Sequence, residues 1–106
     1  FLSNKIYMIG SLESVINVPE KFTLGPTYPN PFNPVTTLSY EIPSESYISI
    51  IIYDVNGRMV QEVVSGIKEV GYHVATWDAS SNSSGVYFVR MSSDDFVSSK
   101  RIMLIK

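Results

Sequence analysis

The side chains of this chain that could carry chemistry are few and scattered. His73 is the only histidine, and a hydrolytic triad would need it beside a nucleophilic serine and a carboxylate. Serines abound, yet none sits in a Gly-x-Ser-x-Gly elbow. His73 shares a strand face with Ala75 and Trp77, so it reads as a structural or partly exposed residue. Asp54-Val55-Asn56-Gly57 faintly echoes a calcium loop, but the further acidic ligand and distal glutamate of such a loop are missing. A tight hairpin turn accounts for it, because Asn-Gly readily supplies positive φ. Asp94-Asp95 reads as a solvated turn with, at most, weak Ca²⁺ affinity. Glu41, Glu45, Glu62 and Glu69 form no pair at the spacing glycoside hydrolysis uses. With no cysteine in the chain, disulfides, thiolate metal sites and cysteine nucleophiles are excluded. These residues assemble no active site and call for no cofactor, and the chain reads as non-catalytic.

What remains is binding chemistry. Trp77 is expected to anchor a core, with sugar stacking as the alternative. Asn82-Ser83-Ser84 matches a glycosylation sequon, a short pattern that chance readily produces. Lys100, Arg101 and Lys106 flank the apolar run Ile102-Met103-Leu104-Ile105. On composition alone that stretch is a closing strand with solvated charges.

The elements that must position these residues are strands. The 106 residues are 44% hydrophobic and 17% charged, with a net charge of −2. That composition is globular rather than disordered, and a chain of this size buries roughly two thirds of its unfolded surface. The eight basic residues form no stripe for nucleic acid. No apolar run reaches the roughly 18 residues that span a bilayer. Phe1-Leu2-Ser3-Asn4-Lys5 lacks an initiator methionine and the build of a signal peptide, which suggests a piece of a longer protein.

Lys5–Ile9 and Val15–Val18 are β-prone runs, and residues 1–19 are expected to be a linker or the last strand of an upstream domain. A boundary near Pro19 opens a second unit over residues 20–106. Tyr28-Pro29-Asn30-Pro31-Phe32-Asn33-Pro34 holds three of the six prolines. Each fixes φ and removes a donor, and each pushes its predecessor to extended backbone. The segment is therefore predicted to be a stiff, extended spacer leading into the first strand. Thereafter strands are expected at Thr37–Ile42, Tyr47–Tyr53, Arg58–Ser65, Tyr72–Trp77, Val86–Met91 and Phe96–Ile105, with turn residues between them. Ile48, Ile50 and Ile52 share one face of the second of these. Six to seven such strands predict a small antiparallel β-sandwich of immunoglobulin-like size.

Residues 22–106 resemble the type A C-terminal sorting domains of bacterial type IX secretion, a group that overlaps with FlgD-like immunoglobulin modules. The pieces occur in order: Phe22-Thr23-Leu24, then Tyr28–Pro34, Thr36–Tyr40, Ile52–Arg58, Gly71-Tyr72-His73, Trp77-Asp78, Ser84–Phe88 and Ser99–Lys106. One departure is Gly25-Pro26-Thr27, where many relatives carry a Gln-Asn pair.

The resemblance implies a sorting signal for an upstream cargo domain in the same chain. That cargo would reach the periplasm of a Gram-negative bacterium by a signal peptide and cross the outer membrane through the type IX translocon. It would end secreted or at the cell surface, where a sortase could remove the domain. The resemblance places recognition by translocon and sortase at Gly85, Tyr87, Lys100, Arg101 and Lys106. Such a domain is expected to be a monomer. Against this stand a carbohydrate-binding module and a structural or adhesion module appended to a secreted enzyme.

Overall fold

The computed structural model describes residues 4–9 and 12–106, with side chains from Val18 onward. β1 (Asn4–Ile9) and β2 (Leu12–Asn17) pair antiparallel as a two-stranded sheet of their own.

Seven further strands form two antiparallel sheets. β3 (Thr23–Tyr28), β4 (Val35–Ile42) and β7 (Gly71–Asp78) make one, in the order β3-β4-β7. β5 (Ser46–Tyr53), β6 (Met59–Lys68), β8 (Gly85–Ser93) and β9 (Phe96–Leu104) make the other, in the order β6-β5-β8-β9. The expected all-β sandwich is what the chain forms.

Side-chain alternation explains the packing, since a strand with every second residue apolar can bury only one face. Ile48, Ile50 and Ile52 on β5 are fully buried, as are Val89 and Met91 on β8. Leu38 and Ile42 on β4 and Trp77 on β7 meet them from the facing sheet, equally buried. Each such aliphatic side chain contributes about 1.5–3 kcal/mol relative to exposure. Ile102 and Leu104 on β9 complete the same cluster.

The Asn-Gly reading of the β5–β6 connection holds. Gly57 has φ 80°, its N–H donates to the Asp54 carbonyl, and the Asp54 N–H donates to the Arg58 carbonyl. The Asp54 carboxylate accepts from the Asn56 and Arg58 amides at 2.8 and 3.0 Å. Its hydrogen bonds are thus with the turn's own backbone, and the Arg58 guanidinium stands beside it at 3.5 Å. These bonds, that to Arg58 foremost, hold the carboxyl below the usual aspartate range.

The proline-rich segment departs from expectation. It does not lead into the first strand of the sandwich, because β3 already precedes it and pairs with β4. Its three X-Pro bonds, Tyr28–Pro29, Asn30–Pro31 and Asn33–Pro34, are cis. The segment is a strap that crosses from β3 of one sheet to the edge of β9 in the other and then returns as β4. Asn30 and Phe32 make the crossing.

Candidate recognition surface

β9 is the element that matters most, because it lies at the edge of the four-stranded sheet. Its residues pair with β8 from Phe96 opposite Ser93 to Leu104 opposite Gly85 without a break in register. Alternate residues therefore turn their main-chain groups outward, away from β8. Over the last part of the strand the strap takes those groups up. The Phe32 N–H donates to the Met103 carbonyl and the Ile105 N–H donates to the Phe32 carbonyl, both at 2.9 Å. The Asn30 side chain does what another strand residue would: its amide donates to the Arg101 carbonyl at 3.3 Å and its oxygen accepts from the Met103 N–H at 3.1 Å. Phe32 is buried and packs on Trp77. Simple strand addition along the whole of Lys100–Lys106 is thus excluded while the strap is in place.

The residues singled out from sequence fall into different settings. Gly85 opens β8 with φ 153°, a backbone that side-chain-bearing residues rarely adopt. Tyr87 is buried, meets Trp77 edge-on at 5.3 Å, and donates its hydroxyl to the Ser83 carbonyl at 2.6 Å. Both lie at the junction of the β7–β8 loop and β8; Gly85 is half-buried and Tyr87 buried. Lys100 and Arg101 are exposed. Arg101 stands on the outer face of β9 opposite Phe88 of β8. Lys100 falls on the same side of the strand as buried Ile102, yet reaches solvent because β9 is an edge.

Lys106 is exposed but tethered. Its ammonium donates to the Ser80 carbonyl at 2.6 Å and its backbone N–H to Ser84 Oγ at 3.0 Å. Asp78 in turn accepts from the hydroxyl and the amide of Ser80. Those bonds, the hydroxyl's first, together with the nearby Lys106 charge, lower the Asp78 pKa. Lys106 therefore belongs to a local cluster with the β7–β8 loop rather than to a run with Lys100 and Arg101.

Residues missed by sequence reasoning lie on the outer face of the four-stranded sheet. Strand register places Met59, Tyr53, Phe88 and Arg101 in one row across it, with Glu62, Ile51, Arg90 and Ser99 in the next. A shallow groove of about 320 Å³ opens there, lined by Tyr53, Val55, Phe88, Arg90 and Ser99. The one ion pair among the described residues joins Arg58 to Asp54, so Arg90 and Arg101 carry unpaired charge. Alternation along Val86–Met91 puts Phe88 and Arg90 on one face. Which face lay outside depended on sheet order.

The sugar-stacking alternative loses its residue, since Trp77 has no exposed surface. Tyr28 and Tyr72 are the exposed aromatics of the other sheet, but they lie on the two strands that flank β4, opposite Thr37 and Glu41 respectively. They are four β4 residues apart and form no continuous row. His73 is half-buried, stacks on Tyr40 with centroids 5.2 Å apart, and bonds the Glu69 carbonyl through Nε2 at 2.8 Å. Those contacts are structural.

A family model described as a secretion system C-terminal sorting domain matches residues 26–106. No curated protein and no solved structure matches the chain.

Proposed function

The chain belongs to the family of secretion system C-terminal sorting domains, type IX sorting signals of secreted or cell-surface cargo, and from that premise we propose how this member is read. It acts without catalysis, as a folded address held by the outer-membrane machinery while an upstream cargo in the same chain is passed across. Recognition uses side chains presented by β8 and β9, with Lys100 and Arg101 as the charged contacts. Gly85 and Tyr87 act indirectly, by fixing the loop on which Lys106 is tied down.

The observation that carries this reading is the state of β9. The strap satisfies its final main-chain groups, while Lys100, Arg101 and Met103 remain exposed. A receptor meeting the intact domain finds charge and apolar surface there, in an arrangement suited to steering and holding an acidic partner.

The test fuses the whole chain to a fluorescent reporter carrying a periplasmic signal peptide, in a host with type IX secretion. Export of the fusion, and its loss in Lys100→Glu/Arg101→Glu with folding intact, is the expected result. A reporter left in the periplasm by the unaltered domain overturns the reading. Removal by a surface sortase is read from the same experiment as a shortened reporter at the cell surface.

A further inference from the structure

The edge of β9 is closed over only part of its length. The strap engages the Arg101 carbonyl, both main-chain groups of Met103 and the Ile105 amide. By the same alternation Val97 and Ser99 also turn their N–H and C=O outward, together with the Arg101 N–H. None of these groups has a partner among the described residues. The edge of β9 is therefore capped at one end and open at the other. An open edge of this kind selects an extended polypeptide, because only a strand offers donors and acceptors at the matching repeat.

The side chains around the opening specify its charge. β9 carries Lys100 and Arg101 and no carboxylate, which disfavours a second copy of the same edge. Arg90 is the direct neighbour of Ser99 across the β8–β9 ladder. Of the nearby acidic groups, Asp54 is held by its own turn and by Arg58, Glu62 stands on β6, beyond β5 from Arg90, and Asp94 and Asp95 lie in the β8–β9 turn, at the opposite end of the open stretch from Arg101. A strand added to β9 would lie about 10 Å from β8, two strand spacings. An arginine and a glutamate on one face can span that distance.

We propose that the open stretch of β9, from Val97 to the Arg101 amide, receives an extended acidic segment of a protein partner, hydrogen-bonded along the edge and paired through its carboxylates with Arg90 and Arg101. As a statement about a sorting receptor this rests on the function proposed above. As a statement about a binding edge it is tested apart from export.

The probe is a blocked six-residue peptide alternating glutamate and valine, set against a twin alternating lysine and valine. Both are titrated into the full chain while backbone amide resonances are followed. The expected result is movement and exchange protection of the Val97, Ser99 and Arg101 amides with the glutamate peptide. Its affinity should exceed that of the lysine twin by about tenfold or more. Arg90→Glu/Arg101→Glu should reverse the order. Ser99→Pro should abolish binding of both peptides with little effect on folding, since it removes only an outward N–H on an edge strand. Equal affinity for the two peptides, or no change at these amides up to about 1 mM, overturns the proposal. In the reporter assay, export of Arg90→Glu/Arg101→Glu at the unaltered level overturns the docking role and leaves the sorting function standing. Failure of the unaltered domain overturns the sorting function, and the peptide titration still decides the edge.

Discussion

Phe32 lies against Trp77 with ring centroids 5.5 Å apart and planes tilted by 52°, joining the strap to the core of the facing sheet. The contact explains why a segment with so few backbone donors stays in place. Its main chain bonds β9 on one side while its one buried aromatic is held by β7. Tyr87 also packs edge-on against the indole at 5.3 Å, so the three rings tie together strap, β7 and β8.

Phe32→Ala should therefore cost about 3–5 kcal/mol, the range for emptying a buried aromatic site. Asn30→Ala removes two edge bonds of ordinary worth, about 1–2 kcal/mol together. Urea denaturation gives both values. Amide exchange should also quicken at Met103 in Asn30→Ala, and unchanged exchange there would show that the strap does not guard the edge.

Trp77→Ala should be as damaging as Phe32→Ala, whereas Trp77→Phe should be much milder. The indole N–H is buried without a hydrogen-bond partner among the described residues, so phenylalanine forfeits packing but no polar contact. The two unfolding midpoints settle it. A phenylalanine variant as unstable as the alanine one would show that the N–H has a partner after all.

Tyr87→Phe should lower stability by about 1 kcal/mol through loss of the bond to the Ser83 carbonyl, with export of a stably folded reporter preserved. A sharp fall in export at unchanged stability would instead make the hydroxyl a contact for the receptor.

Acid should weaken the fold through Asp54 and Asp78. Both carboxyls titrate below the ordinary aspartate range in the folded chain. Their stabilisation is accordingly complete above that range and is lost as pH falls through the lower, folded values. Urea midpoints measured from neutral pH into strong acid should fall on the acid side. Asp54→Asn should flatten part of that slope and leave the neutral-pH export signal in place.

Sequence reading was strongest where burial is set by alternation within one strand. The Ile48, Ile50, Ile52 stripe and the Tyr87, Val89, Met91 stripe follow from a period of two, and both are buried. The Asp54–Gly57 turn was legible from residue types whose backbone preferences act locally. β3 was hidden because Gly25 and Pro26 resemble breakers. A register shift between Leu24 and Thr27 accommodates them, and Ser39 Oγ donates to the Pro26 carbonyl at 3.2 Å. An edge strand tolerates the missing N–H. β6 runs on to Lys68 beyond the expected end at Ser65, because Ser46 and Tyr47 supply pairing partners for Lys68 and Ile67. In sequence the strap reads as a spacer because its partners lie 71 and 73 residues away and leave no local trace. The same is true of the surface: Phe88, Arg90 and Arg101 become neighbours only once β5, β8 and β9 are set side by side.

The separation between the strap and its partners also bears on when the domain becomes whole. Asn30 and Phe32 are synthesised early, yet nothing can satisfy them until Arg101–Ile105 exist. Closing so long a loop is among the last and slowest events available to a chain of this size. A chain interrupted before Arg101 leaves Asn30 and Phe32 without any of their β9 partners, over an unfinished sheet. The capped edge thus forms only once β9 has been made through to Ile105.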